Sequence, residues 1–133
     1  SVQAGAPAGL SGRDWQLHYA TAVEASGQIV FEWDLASGQL VYPFVGDAGV
    51  FGHPVAAVDS LAGWVEQVHP EDRQRFLARL EASFAPLEPI THVFEYRFRR
   101  ADGEYIWIEA RGRLVFENGA PLDRGVGLLA DIT

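Results

Sequence analysis

The chain has no cysteine. That excludes a disulfide framework, a thiolate metal site and a cysteine nucleophile. It has no methionine either, not even at its first position, and so reads as a piece of a longer protein. No apolar run approaches the roughly 20 residues that a membrane-spanning helix needs, and no charged-then-apolar start resembles a secretory signal. Positive charge is scarce. Ten Lys and Arg face eighteen Asp and Glu, for a net charge of −8. So acidic a surface argues against nucleic-acid backbones and anionic lipid as partners, since both need cationic patches.

What is there is a folding composition. Of 133 residues, 48% are apolar, with eight Phe, four Trp and four Tyr. The length fits one domain and is enough to bury a core without staples. Residues 1–12 are small and rich in Gly, Ala and Pro, and read as a linker. Residues 13–26 read as a flanking helix, and residues 27–133 as the domain proper.

The most informative stretch is the last third. Phe94-Glu95-Tyr96-Arg97-Phe98-Arg99 alternates with period two, the pattern of a strand with two unlike faces. Asp102-Gly103 predicts a two-residue hairpin turn. A strand over about 104–117 follows, then a second turn at Asn118-Gly119 and a third strand over about 122–132. The basic residues Arg97, Arg99, Arg100, Arg111 and Arg113 fall beside Glu95 and Glu109, which predicts a cross-strand charge ladder on a solvated face.

Upstream, residues 11–25 predict a short amphipathic helix with Trp15, Tyr19, Ala22 and Val23 at helical spacing. Strands are predicted over 29–35 and 39–43, joined by Ala36-Ser37-Gly38. Gly46, Gly49, Gly52 and Pro54 forbid a long helix, leaving short helical turns near Val50-Phe51 and Val55 to Ala57. Asp59 or Ser60 can cap a helix over about 61–68, with Leu61, Trp64, Val65 and Val68 inward. His69-Pro70-Glu71-Asp72 restarts the helix, because proline and acidic residues suit a first turn. It runs over about 70–84, with Phe76, Leu77, Leu80 and Phe84 as its buried stripe, and Pro86 and Pro89 end it. Sequential hairpins with segregated helices give an α+β domain, an antiparallel sheet covered on one face by helices.

Several of these pieces together resemble a PAS sensor domain. They are Phe31-Glu32-Trp33-Asp34-Leu35, Phe51-Gly52, the His69-Pro70-Glu71-Asp72-Arg73 turn, Glu95-Tyr96-Arg97, Asp102-Gly103, Tyr105-Ile106-Trp107-Ile108, and the closing Gly127 to Asp131-Ile132-Thr133. The C-terminal part resembles the PAC-type meander of that family. The resemblance implies a five-stranded sheet in the order 2-1-5-4-3. It implies a ligand space between the long helix, the short helices and the inner sheet face, with Phe31, Trp33, Phe51, Trp64, Phe76, Leu80, Phe94, Tyr96 and Ile108 as candidate lining. These bulky side chains can equally fill that space as core. The resemblance further implies a homodimer through the N-terminal helix and the outer sheet face, with Trp15, Tyr19, Val23 and Trp107 as candidates. Asp131, Ile132 and Thr133 would relay a signal to a linked output domain, such as a histidine kinase or a cyclic-dinucleotide enzyme, in the cytoplasm.

No cofactor is expected. The flavin photoadduct and thioether chromophores of such domains need a cysteine. Haem sensors carry an axial histidine on the long helix, where this chain reads Gln74-Arg75-Phe76-Leu77. His53 or His92 would have to ligate from elsewhere. His69 is expected to orient the helix start rather than to act in chemistry. Asp34, Glu95 and Glu109 could serve a small cone-shaped α+β enzyme as an acid/base set, but no nucleophile pair or phosphate loop accompanies them. No catalytic or metal residue is therefore assigned. The main expectation is a sensory module. A purely structural dimerisation module with a filled core stands as the alternative, and the enzyme as the third reading.

Overall fold

The computed structural model describes the backbone of residues 12–133 and the side chains from residue 17 onward. The linker expected over residues 1–12 lies outside the described residues, except that Gly12 opens the first helix. The elements run α1 (Gly12–Ser26), β1 (Ile29–Asp34), β2 (Leu40–Val41), a 3-10 turn (Val55–Ala57), α2 (Leu61–Gln67), α3 (Pro70–Phe84), β3 (His92–Arg99), β4 (Tyr105–Glu117) and β5 (Ala120–Asp131). The five strands form one antiparallel sheet in the order β2-β1-β5-β4-β3. This is the order and class expected.

Local chemistry sets the helix starts. Ser60 caps α2, its hydroxyl accepting from the Gly63 N–H at 3.0 Å. His69 caps α3: its Nδ1 accepts from the Glu71 N–H at 3.1 Å, and Pro70 occupies the first turn. An imidazole used in this way is a cap, which matches the orienting role expected of it. Trp64 and Val68 are buried as expected, while Leu61 lies at the rim of the core. On α3, Phe76 is buried, with Leu80 and Phe84 packed against the core, but Leu77 is 41% exposed. The stripe is the i, i+4, i+8 row, and Leu77 lies about 100° round the helix from Phe76.

The strands bury one face. Phe94, Tyr96 and Phe98 of β3 point inward, as do Ile106, Ile108 and Ala110 of β4. Glu117 and Ala120 are cross-strand partners, so Asn118-Gly119 is a two-residue turn, with φ of 52° and 78°. The Asp102-Gly103 turn is longer than expected. The Arg100 N–H bonds to the Glu104 carbonyl at 2.8 Å, and the Asp102 carboxylate accepts from the Glu104 N–H at 2.9 Å. That side chain supports a wider loop in which only Gly103 needs positive φ.

Two further expectations are corrected. β2 is two residues long rather than five, because Gln39 pairs instead with Ser60, Tyr42 turns its ring into the core and Pro43 has no N–H to donate. Val50-Phe51 is not helical. Val50 and His53 exchange both backbone hydrogen bonds, at 2.9 and 3.0 Å, around Phe51 and Gly52 at φ 53° and 85°. Two successive positive φ values make a primed reverse turn.

The outer edge of β3 is closed by polar groups. The His69 N–H donates to the Arg97 carbonyl at 2.9 Å. The Asp72 carboxylate accepts from the Arg97 N–H at 2.9 Å. Arg75 donates to the Glu95 carbonyl, Arg79 to the Val93 carbonyl and His53 Nε2 to the Arg99 carbonyl. An open edge is a template for pairing with another strand, and here α3 and the His53 turn occupy it. The expected charge ladder is thus only partly formed. Glu109 pairs with Arg111 at 2.8 Å on its own strand, while Glu95 stands opposite Glu109 and Arg97 turns to Asp72 and Glu71.

Candidate functional site

Three glycines shape the inner face. Gly125 and Gly127 of β5 are the cross-strand partners of Trp33 and Phe31, and Gly112 of β4 is paired with Gly127. A methyl group on Gly125 would overlap the Trp33 indole, and one on Gly112 would come within 3.1 Å of it. A methyl on Gly127 would press on the Phe31 ring. None of the three needs positive φ: at Gly112 and Gly125 the requirement is space for the Trp33 ring, and at Gly127 it is the close approach of the Arg111 carbonyl oxygen as well as of the Phe31 ring. Phe31 and Trp33 lie over this patch, stacked at 5.6 Å, and Phe84 meets Trp33 edge-on at 5.1 Å.

Between this floor and α3 lies a cavity of about 150 Å³. Phe76, Leu80 and Phe84 of α3 form its ceiling, Phe94 and Tyr96 of β3 one wall, and Leu40, Tyr42, Leu61 and Trp64 another. Gly38, His92, Ala110, Gly112 and Leu129 complete the lining. No lining residue is an Asp, Glu, Lys or Arg. The aromatic packing is close: Phe76 and Tyr96 centroids lie 4.7 Å apart, and Trp64 and Phe98 4.3 Å.

The polar atoms here are few. Trp64 Nε1 donates to the Tyr96 hydroxyl at 3.0 Å, and the Tyr42 hydroxyl donates to the Val58 carbonyl at 2.6 Å. Tyr96 is 2% exposed. Burial raises the pKa of both tyrosines well above the ordinary value, so both stay protonated. His92 meets Phe84 edge-on at 5.0 Å.

Seven of the nine candidate lining residues meet at this cavity: Phe31, Trp33, Trp64, Phe76, Leu80, Phe94 and Tyr96. Phe51 and Ile108 do not. The reverse turn carries Phe51 onto Phe98, 5.6 Å away, and Ile108 of β4 is fully buried as the partner of Tyr96. Sequence reasoning missed Tyr42, Phe84 and His92 as lining, although the helical spacing 76, 80, 84 pointed to Phe84. It also missed the glycine floor, whose signal was glycine recurring inside predicted strands.

The remaining candidates are scattered. The Trp15 side chain lies outside the described residues. Tyr19 is exposed, Val23 half-buried, and Trp107 is 42% exposed on the outer sheet face. The Ile132 N–H donates to the Trp107 carbonyl at 3.0 Å, the Thr133 hydroxyl accepts from the Trp107 N–H at 3.0 Å, and the Asp131 carboxylate accepts from the Thr133 N–H at 2.9 Å. Ile132 and Thr133 are thereby fastened to Trp107, and Asp131 holds Thr133. The Arg97 guanidinium sits 5.5 Å from the Trp107 ring centre and bonds Asp72 on α3. A chain of direct contacts therefore links α3 to the C-terminal residues.

Asp34, Glu95 and Glu109 do not converge on the cavity. The Asp34 carboxylate accepts from the Ala36 and Ser37 N–H groups, and these bonds lower its pKa. Glu95 and Glu109 lie opposite each other on β3 and β4, away from the lining. Among the described residues, no group of three or more His, Asp or Glu is placed to hold a metal ion. No helix among them is long and apolar enough to cross a membrane.

Comparison with known proteins gives consistent results. A search of curated protein sequences returns no match. Among solved structures, a sensory box histidine kinase/response regulator from Burkholderia thailandensis E264 is 29% identical, with a TM-score of 0.60, covering 87% of this chain and 85% of its own. The N-terminal domain of a diguanylate cyclase with PAS/PAC sensor from Marinobacter aquaeolei is 21% identical, with a TM-score of 0.60, covering 79% and 94%. A PAS domain from Colwellia psychrerythraea is 16% identical, with a TM-score of 0.64, covering 90% and 98%. At this identity the last two show the shared fold alone. The family described as PAS fold matches residues 49–126, more than half of the sequence. With that match, this strand order and helices on one sheet face, the chain belongs to the PAS fold family.

Proposed function

We propose that this domain is a non-enzymatic sensory module of a multidomain signalling protein. A small ligand in the inner cavity biases the packing of α3 against the sheet. The change passes through β3 and β4 to Asp131, Ile132 and Thr133, and from there to a covalently linked output domain. The observation that carries this reading is the aromatic cavity of about 150 Å³ beneath α3. The Asp72–Arg97–Trp107–Thr133 contacts supply a physical route from its ceiling to the C-terminal residues. The output domain is of the kind found with the similar chains, a histidine kinase or a cyclic-dinucleotide enzyme. A cytoplasmic location and a colourless protein complete the proposal.

Native mass spectrometry of the domain, beside an absorbance spectrum, tests it. Ala110 lines the cavity, and Ala110→Leu fills part of it. A small adduct on the wild type that is lost from Ala110→Leu supports the sensor. An adduct held equally by both refutes the cavity as its site, and a visible band refutes the colourless reading.

A second reading has its own observation. Trp107, Leu128 and Ile132 are all more than a third exposed. A homodimer through the outer sheet face would cover them. A dimer without an adduct, in both proteins, favours this structural module instead.

A further inference from the structure

The cavity specifies a ligand chemistry, provided that it is the sensory site proposed above. Its volume of about 150 Å³ is that of a site for a single ring, and falls below the roughly 300 Å³ at which drug-sized pockets begin. Ring faces and edges dominate its lining, which favours a flat aromatic guest. No Asp, Glu, Lys or Arg lines it, so a charged guest would lose its hydration without gaining a fixed counter-ion.

One hydrogen-bonding capacity is left over. The Tyr42 hydroxyl proton is used by the Val58 carbonyl at 2.6 Å. The Trp64 Nε1 proton is used by the Tyr96 oxygen at 3.0 Å. The Tyr96 hydroxyl is thereby an acceptor whose own proton has no acceptor among the described residues. Tyr96 is 2% exposed and part of the cavity wall. A buried donor without a partner is a destabilising feature that a ligand atom can relieve. The hydroxyl is also prevented from turning into an acceptor-only phenolate, since burial raises its pKa.

We infer that the cavity takes a neutral, single-ring aromatic molecule bearing one hydrogen-bond acceptor, a carbonyl, nitrile, ether or ring nitrogen, which the Tyr96 hydroxyl recognises. The ring supplies affinity by filling the aromatic space. The acceptor supplies selectivity, because it completes a bond that a plain hydrocarbon leaves unmade.

Benzonitrile and phenylacetylene test this as a pair. They have nearly the same shape, and only the nitrile is a good acceptor. Titration of the purified domain by calorimetry gives both affinities. Benzonitrile is expected to bind about five- to tenfold tighter, the net worth of one hydrogen bond. Because Tyr96→Phe alone would free the Trp64 N–H as a substitute donor, Tyr96→Phe is made on a Trp64→Phe background, where it is expected to erase that preference while leaving phenylacetylene within about twofold of Trp64→Phe. The nitrile stretch of bound benzonitrile in the wild type gives a second reading that needs no variant. It moves to higher frequency when a hydroxyl donates to the nitrogen.

Equal affinities with an unshifted nitrile stretch overturn the acceptor requirement but keep the cavity as a ligand site. A preference that persists in the Trp64→Phe, Tyr96→Phe double variant overturns Tyr96 as the donor. Benzoate binding more tightly than benzonitrile overturns the neutral class and points to His92. If neither aromatic binds at its solubility limit, the failure lies with the ligand-binding reading itself.

Discussion

Among the described residues Asp72 is the buried carboxylate, and its charge can be tested by acid. Its side chain is 7% exposed. It accepts from the Arg97 N–H at 2.9 Å, from Nε at 3.0 Å and from Nη2 at 2.8 Å. These bonds from Arg97 hold its pKa at about 2, against an ordinary 3.8. At 1.36 kcal/mol per pH unit the difference corresponds to at most about 2.4 kcal/mol. Arg97 is 29% exposed and Glu71 mostly so, and water screens part of that energy, leaving about 1–2 kcal/mol. The sign follows from the lowered pKa. The contribution is complete above the unfolded value near 4 and is lost as pH falls through the folded value near 2, with about half remaining at pH 3. Asp72→Asn keeps the shape and one acceptor but removes the charge. Urea unfolding of both proteins should show the variant less stable by about 1–2 kcal/mol at pH 7, with the gap roughly halved at pH 3. Other carboxylates titrate in the same window, but they do so in both proteins and cancel. A gap that is equal at pH 7 and pH 3, or absent at pH 7, would refute the charge as the source of the linkage.

Three further outcomes are expected. Gly125→Ala puts a methyl group into the Trp33 ring. It should cost about 1–3 kcal/mol in urea unfolding and lower the affinity of any cavity ligand, because the indole's free direction is into the cavity. Ser60→Ala removes the acceptor for the Gly63 N–H and should cost about 1 kcal/mol, whereas Ser60→Gly should cost only a few tenths, both read by the same unfolding curves. Thr133→Val removes the acceptor of the Trp107 N–H at an exposed end. Global stability should change by less than about 1 kcal/mol, while hydrogen exchange of the Trp107 amide becomes faster.

What the sequence revealed depended on how local the cause was. Alternation placed Phe94, Tyr96 and Phe98 on one face because the period of a strand is fixed by its backbone, and the structure shows that this face is the inner one. Asn118-Gly119 could be read because both residues tolerate positive φ and nothing distant is involved. At Phe51-Gly52 the same kind of turn was missed, since a phenylalanine at φ 53° contradicts local preference. Its support comes from the Val50–His53 pairing, from Phe98 against its ring and from the Phe51 carbonyl, which accepts from the Ala101 N–H. Arg97 was likewise assigned to neighbouring glutamates, because sequence shows strand neighbours but not that the first turn of α3 lies along the strand edge.

The cavity shows the same limit in a different form. Naming bulky residues recovered most of its aromatic lining, yet those residues alone leave open whether the space is filled. The deciding residues have no side chain. With Gly125 and Gly127 beneath them, Phe31 and Trp33 settle against the sheet instead of standing off it. Rings lowered in this way no longer reach far enough to fill the space under Phe76 and Leu80. The strand order and the helix above it are common to the family, whereas this lowering depends on three particular glycines. Alanine at Gly125 or Gly112 would push on the Trp33 ring and take up the room, and alanine at Gly127 would also meet the Arg111 carbonyl oxygen of the neighbouring strand. The proposed ligand site thus owes its place to the fold and its proposed selectivity to the glycine patch and Tyr96.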